Sequence, residues 1–341
     1  MKNLSLVVAL MLATAAMAGG VTESFEFSAS AVTFGTQDGY ATVTIPGAPH
    51  TFPLGTPDLP ALPYTVVIPA DAEATGIEIL ELVETPLMGA HDLLPVQHPV
   101  PFSIDPVKQP FVEPNPAVYG QDATWPPAPA VFGRTHNKGG FRVASFALHP
   151  LRYNPVTKQL TLVTKIRVRV NYDRGTRPTP RRSAIQNEVH AEGLRRLVLN
   201  PGDVARSAPA TRATARGSFL LPAGEYEHVI ITPELWVDSF AQLVEWRTRQ
   251  GWRSRVMTLE DITTAYPGRD VPEKMRNFLK DADTTWGLVF AFIARDDYPS
   301  GANQVRQVRA YSYNMKSDMY FSDLDGDWDT HVSSKQFKSS A

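Results

Sequence analysis

Most of the 29 prolines in this 341-residue chain lie before residue 182, and no other feature constrains the fold as strongly. Proline fixes φ and removes a backbone donor, so it suits turns, edge strands and extended segments and disrupts helix interiors. The first half is therefore expected to be strand and loop. Within it, "LTLVTKIRVRV" puts Leu160, Leu162, Ile166, Val168 and Val170 on one face and Thr161, Lys165, Arg167 and Arg169 on the other. That two-residue period belongs to a sheet with one buried and one wet face. Asn154-Pro155 in "YNPVTKQ" supplies the turn of a hairpin leading into it. "YATVTI" (40–45) and "YTVVIP" (64–69) read as further strands, joined through the proline-stiffened "GTPDLPALP". A β-sandwich or jelly roll is the expectation.

From residue 226 the period changes. "HVIIT" and "RVMTL" are short apolar strands, and "LVFAFIA" (288–294) is a third, apolar throughout as in a parallel sheet covered on both faces. Thr232 is expected to cap a helix with Pro233 at its first position, Trp236, Phe240, Leu243 and Val244 on one face, and Gly251 beyond its end. Residues 270–283 read as a second helix with Met275, Phe278 and Leu279 inward. This β-α-β-α-β order predicts a right-handed, doubly wound parallel sheet. The fold class is thus α+β multidomain: a β-sandwich or jelly roll, then an incomplete doubly wound α/β domain.

Between the halves, residues 174–216 hold nine arginines, no lysine and three acids, Glu188, Glu192 and Asp203. Residues 184–199 read as one helix with Ile185, Val189 and Leu197 inward. The flanks "RGTRPTPRR" and "RSAPATRATARGS" are expected to bury little. Two readings of the arginines stay open: solvated linker charge, or cleavage sites for a trypsin-like or self-processing protease.

The amino terminus has the pattern of a secretory signal: Lys2, an apolar run over 4–13, and the small-x-small Ala16-Met17-Ala18. That run is too short to span a bilayer, and no later stretch reaches the roughly 18 apolar residues a spanning helix needs. A formal charge of −2 gives no field that would recruit nucleic acid or an anionic membrane. The chain has no cysteine, so it can form no disulfide and no thiolate nucleophile. The sequences G-x-S-x-G, H-E-x-x-H, G-x-x-x-x-G-K-[ST] and G-x-G-x-x-G do not occur. His190 in "HAEGL" lacks metal-ligand spacing, and His149 and His228 adjoin strand residues and read as packed or surface histidines. In "SDMYFSDLDGDWDTH" (317–331), Asp323, Asp325, Asp327 and Asp329 stand two apart. Alternate carboxylates on a short arc suit Ca²⁺, although the glycine position and the missing final glutamate exclude an EF-hand. By spacing alone, a calcium turn and a solvated acidic loop both remain.

"HVIITPELWVDSFAQLVEWRTRQGWRSRVMTLEDI", "VPEKMRNFLKDADTTWGLVFAFIA" and "SDMYFSDLDGDWD" resemble successive blocks of the catalytic domain of gingipain-like cysteine peptidases. "GTPDLPALPYTVVIPADAE" and "ALHPLRYNPVTKQLTLVTKIRVRVNY" resemble that family's β-rich propeptide. The resemblance implies an exported zymogen: a signal peptide (1–18), a β-sandwich propeptide with inhibitory and chaperone roles (19–173), an arginine-rich linker with one helix (174–224), the first part of a caspase-like peptidase domain (225–330), and an unstructured tail (331–341). It makes Arg206, Arg212 and Arg216 candidate processing points. The family's Cys-His dyad is expected downstream of "DLDGDWD", and His331 lacks the family's glycine-histidine setting, so this polypeptide is expected to be inactive by itself. After residue 330 the likeness ends, which reads as a truncation or a change of frame. Calcium is the implied cofactor, held by Asp325, Asp327 and Asp329 with Asp297 or Asp296 upstream. His331 stands where an acidic ligand is expected and is a poor partner for a hard cation. The implied partners are the chain's own or a related catalytic domain bound by the propeptide, and protein or peptide substrates only if the domain is completed downstream. No nucleic acid and no membrane span are expected, and the location is extracellular or at the cell surface. A secreted non-enzymatic module that binds calcium or inhibits a protease is the alternative.

Overall fold

The computed structural model describes residues 18–99, 109–175, 177–179, 181–212, 220–294, 306–310, 313–322 and 324. The chain divides into two compact units, 1–180 with 190–209, and 181–189 with 210–341.

The first unit opens with β1 (Ala18–Glu26), β2 (Thr33–Gln37), β3 (Tyr40–Thr44), β4 (Leu62–Ile68) and β5 (Glu73–Pro86). A short helix, α1 (Pro116–Tyr119), precedes β6 (Ala130–Lys138), β7 (Phe141–Leu148), β8 (Leu151–Asn154) and β9 (Gln159–Asp173). These strands form an antiparallel sheet ordered β1-β9-β5 with β8 also on β9, a second ordered β4-β7-β6, and the hairpin β2-β3. The expected alternation in β9 is present, with Leu160, Leu162, Ile166, Val168 and Val170 all buried. Val163, Ile166, Val168 and Val170 pack on Val66 and Ile68 of β4 and Ala144, Phe146 and Leu148 of β7, so the two sheets face each other across one core. On the wet side, Lys165 Nζ lies 2.9 Å from Glu81, and Arg152 Nη1 lies 2.7 Å from Glu84. The β8–β9 turn forms because the Asn154 side-chain oxygen accepts from the amides of Val156 (3.0 Å) and Thr157 (3.2 Å).

The helix α2 (Ala184–Arg195) contains the boundary between the units. Its second half belongs to the first unit, where Ala191, Leu194, Val198 and Val204 pack on Val67, Phe141 and Val143. The tight β6–β7 turn has Gly139 at φ +59°, and a Cβ there would meet the His190 ring at 2.3 Å, so both the backbone and the close approach of α2 require glycine. The inward placement of Leu197 is corrected: the helix stops at Arg195, its phase is lost, and Leu197 is 58% exposed. Val198 takes the buried position instead.

The second unit begins with β10 (Arg181–Arg182), which pairs in parallel with β11 (Ala210–Thr211). Then come β12 (His228–Thr232), a 3₁₀ turn (Glu234–Phe240), α3 (Ala241–Arg249), β13 (Ser254–Thr258), α4 (Leu259–Ala265), α5 (Val271–Thr285) and β14 (Phe290–Ile293). β12 lies between β13 and β14 and is parallel to both, as the β-α-β pattern predicts. Beyond these are the hairpin β15 (Arg306–Ala310) and β16 (Tyr313–Ser317), and α6 (Met319–Ser322). Asp270 caps α5 by accepting from the Glu273 amide at 3.0 Å. Met275, Phe278 and Leu279 point into a core completed by Val229, Ile231, Ala282 and Trp286.

Three expectations change here. Thr232 is not a helix cap: it ends β12 fully buried, and Pro233 is extended at ψ 147°, with helical structure starting at Glu234. An unexpected helix, α4, follows β13 directly because Thr258 Oγ1 accepts from the Asp261 amide at 3.0 Å. Among the described residues β14 is not covered on both faces, for Phe290 and Phe292 are 44% and 46% exposed. Among the described residues, no helix is long and apolar enough to cross a membrane.

Candidate functional site: the arginine-rich segment and the ends of the parallel sheet

Arg206 sits in the first unit, in a turn anchored by Asn200. The Asn200 amide receives the Val67 N–H at 2.9 Å, donates to the Val67 carbonyl at 2.9 Å, and donates to Asp203 at 2.9 Å. That pairing mimics a strand neighbour and ties the turn to β4. The Arg206 side chain is 75% exposed and lies 2.5 Å from Asp203. The next residue, Ser207, is buried, and its N–H donates to the Asp203 carbonyl at 3.0 Å. Cleavage after Arg206 therefore requires this turn to open first, although the arginine itself faces solvent.

Arg212 lies in the second unit and is built in. Its N–H donates to the Arg182 carbonyl at 2.9 Å, continuing the β10–β11 pairing. Its Nη1 donates to the Thr284 carbonyl at 2.6 Å and its Nη2 to the Asp283 carbonyl at 2.8 Å. Arg182 Nη1 donates to the Asp283 carboxylate at 2.8 Å. Gln186 is fully buried between them. Its side-chain oxygen accepts from the Ser183 amide at 2.9 Å while Ser183 Oγ accepts from the Gln186 amide at 3.2 Å, the reciprocal cap of a helix start. The same glutamine's NH₂ donates to Asp283 Oδ1 at 2.9 Å and to the Leu288 carbonyl at 2.8 Å. Two guanidinium groups thus meet one carboxylate, and the excess positive charge lies against the carbonyl end of α5, where the helix dipole favours cations. Arg182 and Arg212 are only 20% and 18% exposed in their side chains, so the expectation that the flanks bury little fails at both. The Ser-x-x-Gln spacing of the cap was readable in the sequence; the partners about a hundred positions away were not.

Arg216, Asp297, Asp296, Asp323, Asp325, Asp327, Asp329 and His331 lie outside the described residues. Among the described residues, no group of three or more His, Asp or Glu could hold a metal ion.

In an open parallel sheet the crevice beyond the carboxyl ends of the strands, where the strand order reverses, is where ligands bind. Here that point lies between β12 and β14. Thr232, at the end of β12, has a buried hydroxyl without a hydrogen-bond partner among the described residues. At the opposite ends of the strands, His228 Nδ1 lies 2.7 Å from Ser254 Oγ, beside a cleft of about 480 Å³ lined by Leu243, Arg247, Trp252, Phe290 and Phe292. Burial, and then the Arg247 charge, lower the His228 pKa and favour its neutral form. At the amino ends of the strands this serine–histidine contact serves as a tie between β12 and β13 in register.

Comparison with known proteins follows this division. Residues 27–196 match the family model Propeptide_C25, and residues 222–336 match that of Peptidase family C25. Arg206, Arg212 and Arg216 all fall between the two matches. Lys-gingipain of Porphyromonas gingivalis is 28% identical over 137 residues, covering 39% of this chain. The chain spans 8% of the length of that curated relative. The solved complex of the P. gingivalis RgpB pro- and mature domains is 21% identical, over 46% of this chain and 80% of that one, with a TM-score of 0.39. A structure addressing the zymogenic latency of gingipain K from the same organism is 23% identical, over 45% and 98%, with a TM-score of 0.35. The two family matches, in the order propeptide then peptidase, place this chain in the gingipain-like C25 peptidase family.

Proposed function

We propose that this polypeptide is an exported precursor segment of a gingipain-like peptidase, whose β-sandwich unit acts as an inhibitory and chaperoning propeptide and which has no peptidase activity by itself. The observation that carries this reading is the pairing of a propeptide match and a peptidase match in one chain that contains no cysteine. Covalent attack of the cysteine type needs a thiolate, and a hydroxyl takes its place only with an adjacent base to accept its proton. The propeptide's partner is then the chain's own or a related C25 domain. Processing falls in the segment between the two matches, with Arg206, Arg212 and Arg216 as its arginines. Asp325, Asp327, Asp329 and Asp297 are the proposed calcium ligands, and the amino-terminal segment directs export.

The absence of cysteine also supports a second reading, a secreted protease-inhibitory module that binds a relative's catalytic domain in trans. The direct test of the first reading is hydrolysis of Arg- and Lys-containing peptides by the purified chain. No turnover above buffer is expected, and peptidase activity that follows the polypeptide through purification would overturn it.

A further inference from the structure

The end of α5 has the features of a binding site for a specific side chain. Its polar groups converge: the Asp283 carboxylate and the successive main-chain carbonyls of Asp283 and Thr284, with Leu288 alongside. Its walls are largely buried, with Gln186 fully buried and Asp283 19% exposed. Two of its occupants are guanidinium groups, beside the Gln186 carboxamide that donates to Asp283 Oδ1 and the Leu288 carbonyl. Arg212 spans two carbonyls with two nitrogens of one planar fork, which a lysine ammonium, a single point on a flexible stem, does not reproduce. Both arginines come from one strap, residues 181–189 and 210–212, stiffened by the β10–β11 pairing and the Ser183–Gln186 cap.

We infer that the carboxyl-terminal turn of α5 is an arginine-docking site, and that it holds this strap on the α/β unit after the linker is cut downstream of Arg212. The strap lies on the amino side of such a cut, so the partner held is the amino-terminal cleavage product, bound through Arg182 and Arg212. The occurrence of that cut in nature rests on the precursor reading; the docking site does not. The interaction is charge-assisted and partly buried, so it is weakened by salt but not abolished as an exposed pair would be.

The test uses the full chain with a site-specific protease recognition sequence inserted between Arg212 and Leu220, cut after folding. The affinity of the two products is then measured by sedimentation. The wild-type products are expected to remain associated, and Asp283→Asn and Arg212→Lys to weaken the association at least about tenfold, the scale of one charge-assisted hydrogen bond. Glu192→Gln, which removes an exposed ion pair with Arg196, is expected to leave it unchanged. Should Asp283→Asn not fold, as judged by circular dichroism of the uncut chain, Arg212→Lys carries the test. Unchanged affinity in Arg212→Lys, or immediate separation of the wild-type products, would overturn the docking site. Because the cut is engineered, the docking site and the precursor reading fail separately.

Discussion

Arg212 donates through Nη2 to the main-chain carbonyl of Asp283 at 2.8 Å and through Nη1 to that of Thr284 at 2.6 Å. An arginine in a segment whose composition suggests solvated charge is in fact the ligand of a helix end. A trypsin-like protease must take the arginine side chain into its own pocket, so Arg212 has to leave α5 before the chain is cut after it. Cleavage after Arg212 in the folded chain is therefore expected to be at least about tenfold slower than in an unstructured peptide of the same sequence. Fragment masses over a digestion time course measure this. Equal rates in the folded chain and the peptide would mean that Arg212 is already accessible.

The packing of α2 gives a second prediction. Leu194 is 1% exposed against Val67 and Phe141, whereas Leu197, three residues on, is 58% exposed. Leu194→Ala should cost about 2–5 kcal/mol and Leu197→Ala no more than about 0.5 kcal/mol, read from urea unfolding. Equal costs would contradict the end of the helix at Arg195.

Acid should destabilise both units through buried histidines. In the second unit, burial and then Arg247 lower the His228 pKa below its ordinary 6.5. In the first, burial lowers that of His149, with Arg152 adding to the effect and the bond to the Ala128 carbonyl opposing it. As pH falls below about 6.5 the unfolded chain takes up protons that the folded chain refuses, so stability is complete above that pH and is lost on acidification. Thermal midpoints at about pH 7.5 and pH 5.5 should differ less in His228→Asn than in the wild type, since the asparagine does not titrate. The same pH dependence in both would remove His228 from the account.

Calcium binding is tested by the thermal midpoint of the purified chain. If Asp325, Asp327 and Asp329 hold the ion, Ca²⁺ raises the midpoint by stabilising the bound native state, and Asp325→Ala abolishes the rise. No shift at roughly millimolar Ca²⁺, the weak end of protein calcium sites, would make this stretch an ordinary acidic loop.

The sequence revealed what short-range periodicity encodes. The alternation of β9, the strands β12 and β13, and the inward stripe of Met275, Phe278 and Leu279 were all readable, because each depends on neighbours within a turn or a strand. Leu197 was misplaced because helical phase was extended past the residue where the helix ends. Thr232 looked like a cap because it precedes proline, but β12 continues through it into the core. The exposure of Phe290 and Phe292 could not be read, since an apolar strand is the same in sequence whether or not anything covers it. The Arg182–Gln186–Asp283–Arg212 cluster was hidden for another reason: its members come from three separate segments, and composition alone makes the arginines look solvated.

In the proposed role, the propeptide unit of this chain holds a C25 peptidase latent. This role is tested most directly by the rate at which a mature gingipain hydrolyses a peptide substrate as the purified chain is added. Dose-dependent inhibition is expected, with a dissociation constant below about 1 µM, equivalent to roughly 8 kcal/mol of binding. An undiminished rate with the chain in large excess would contradict it.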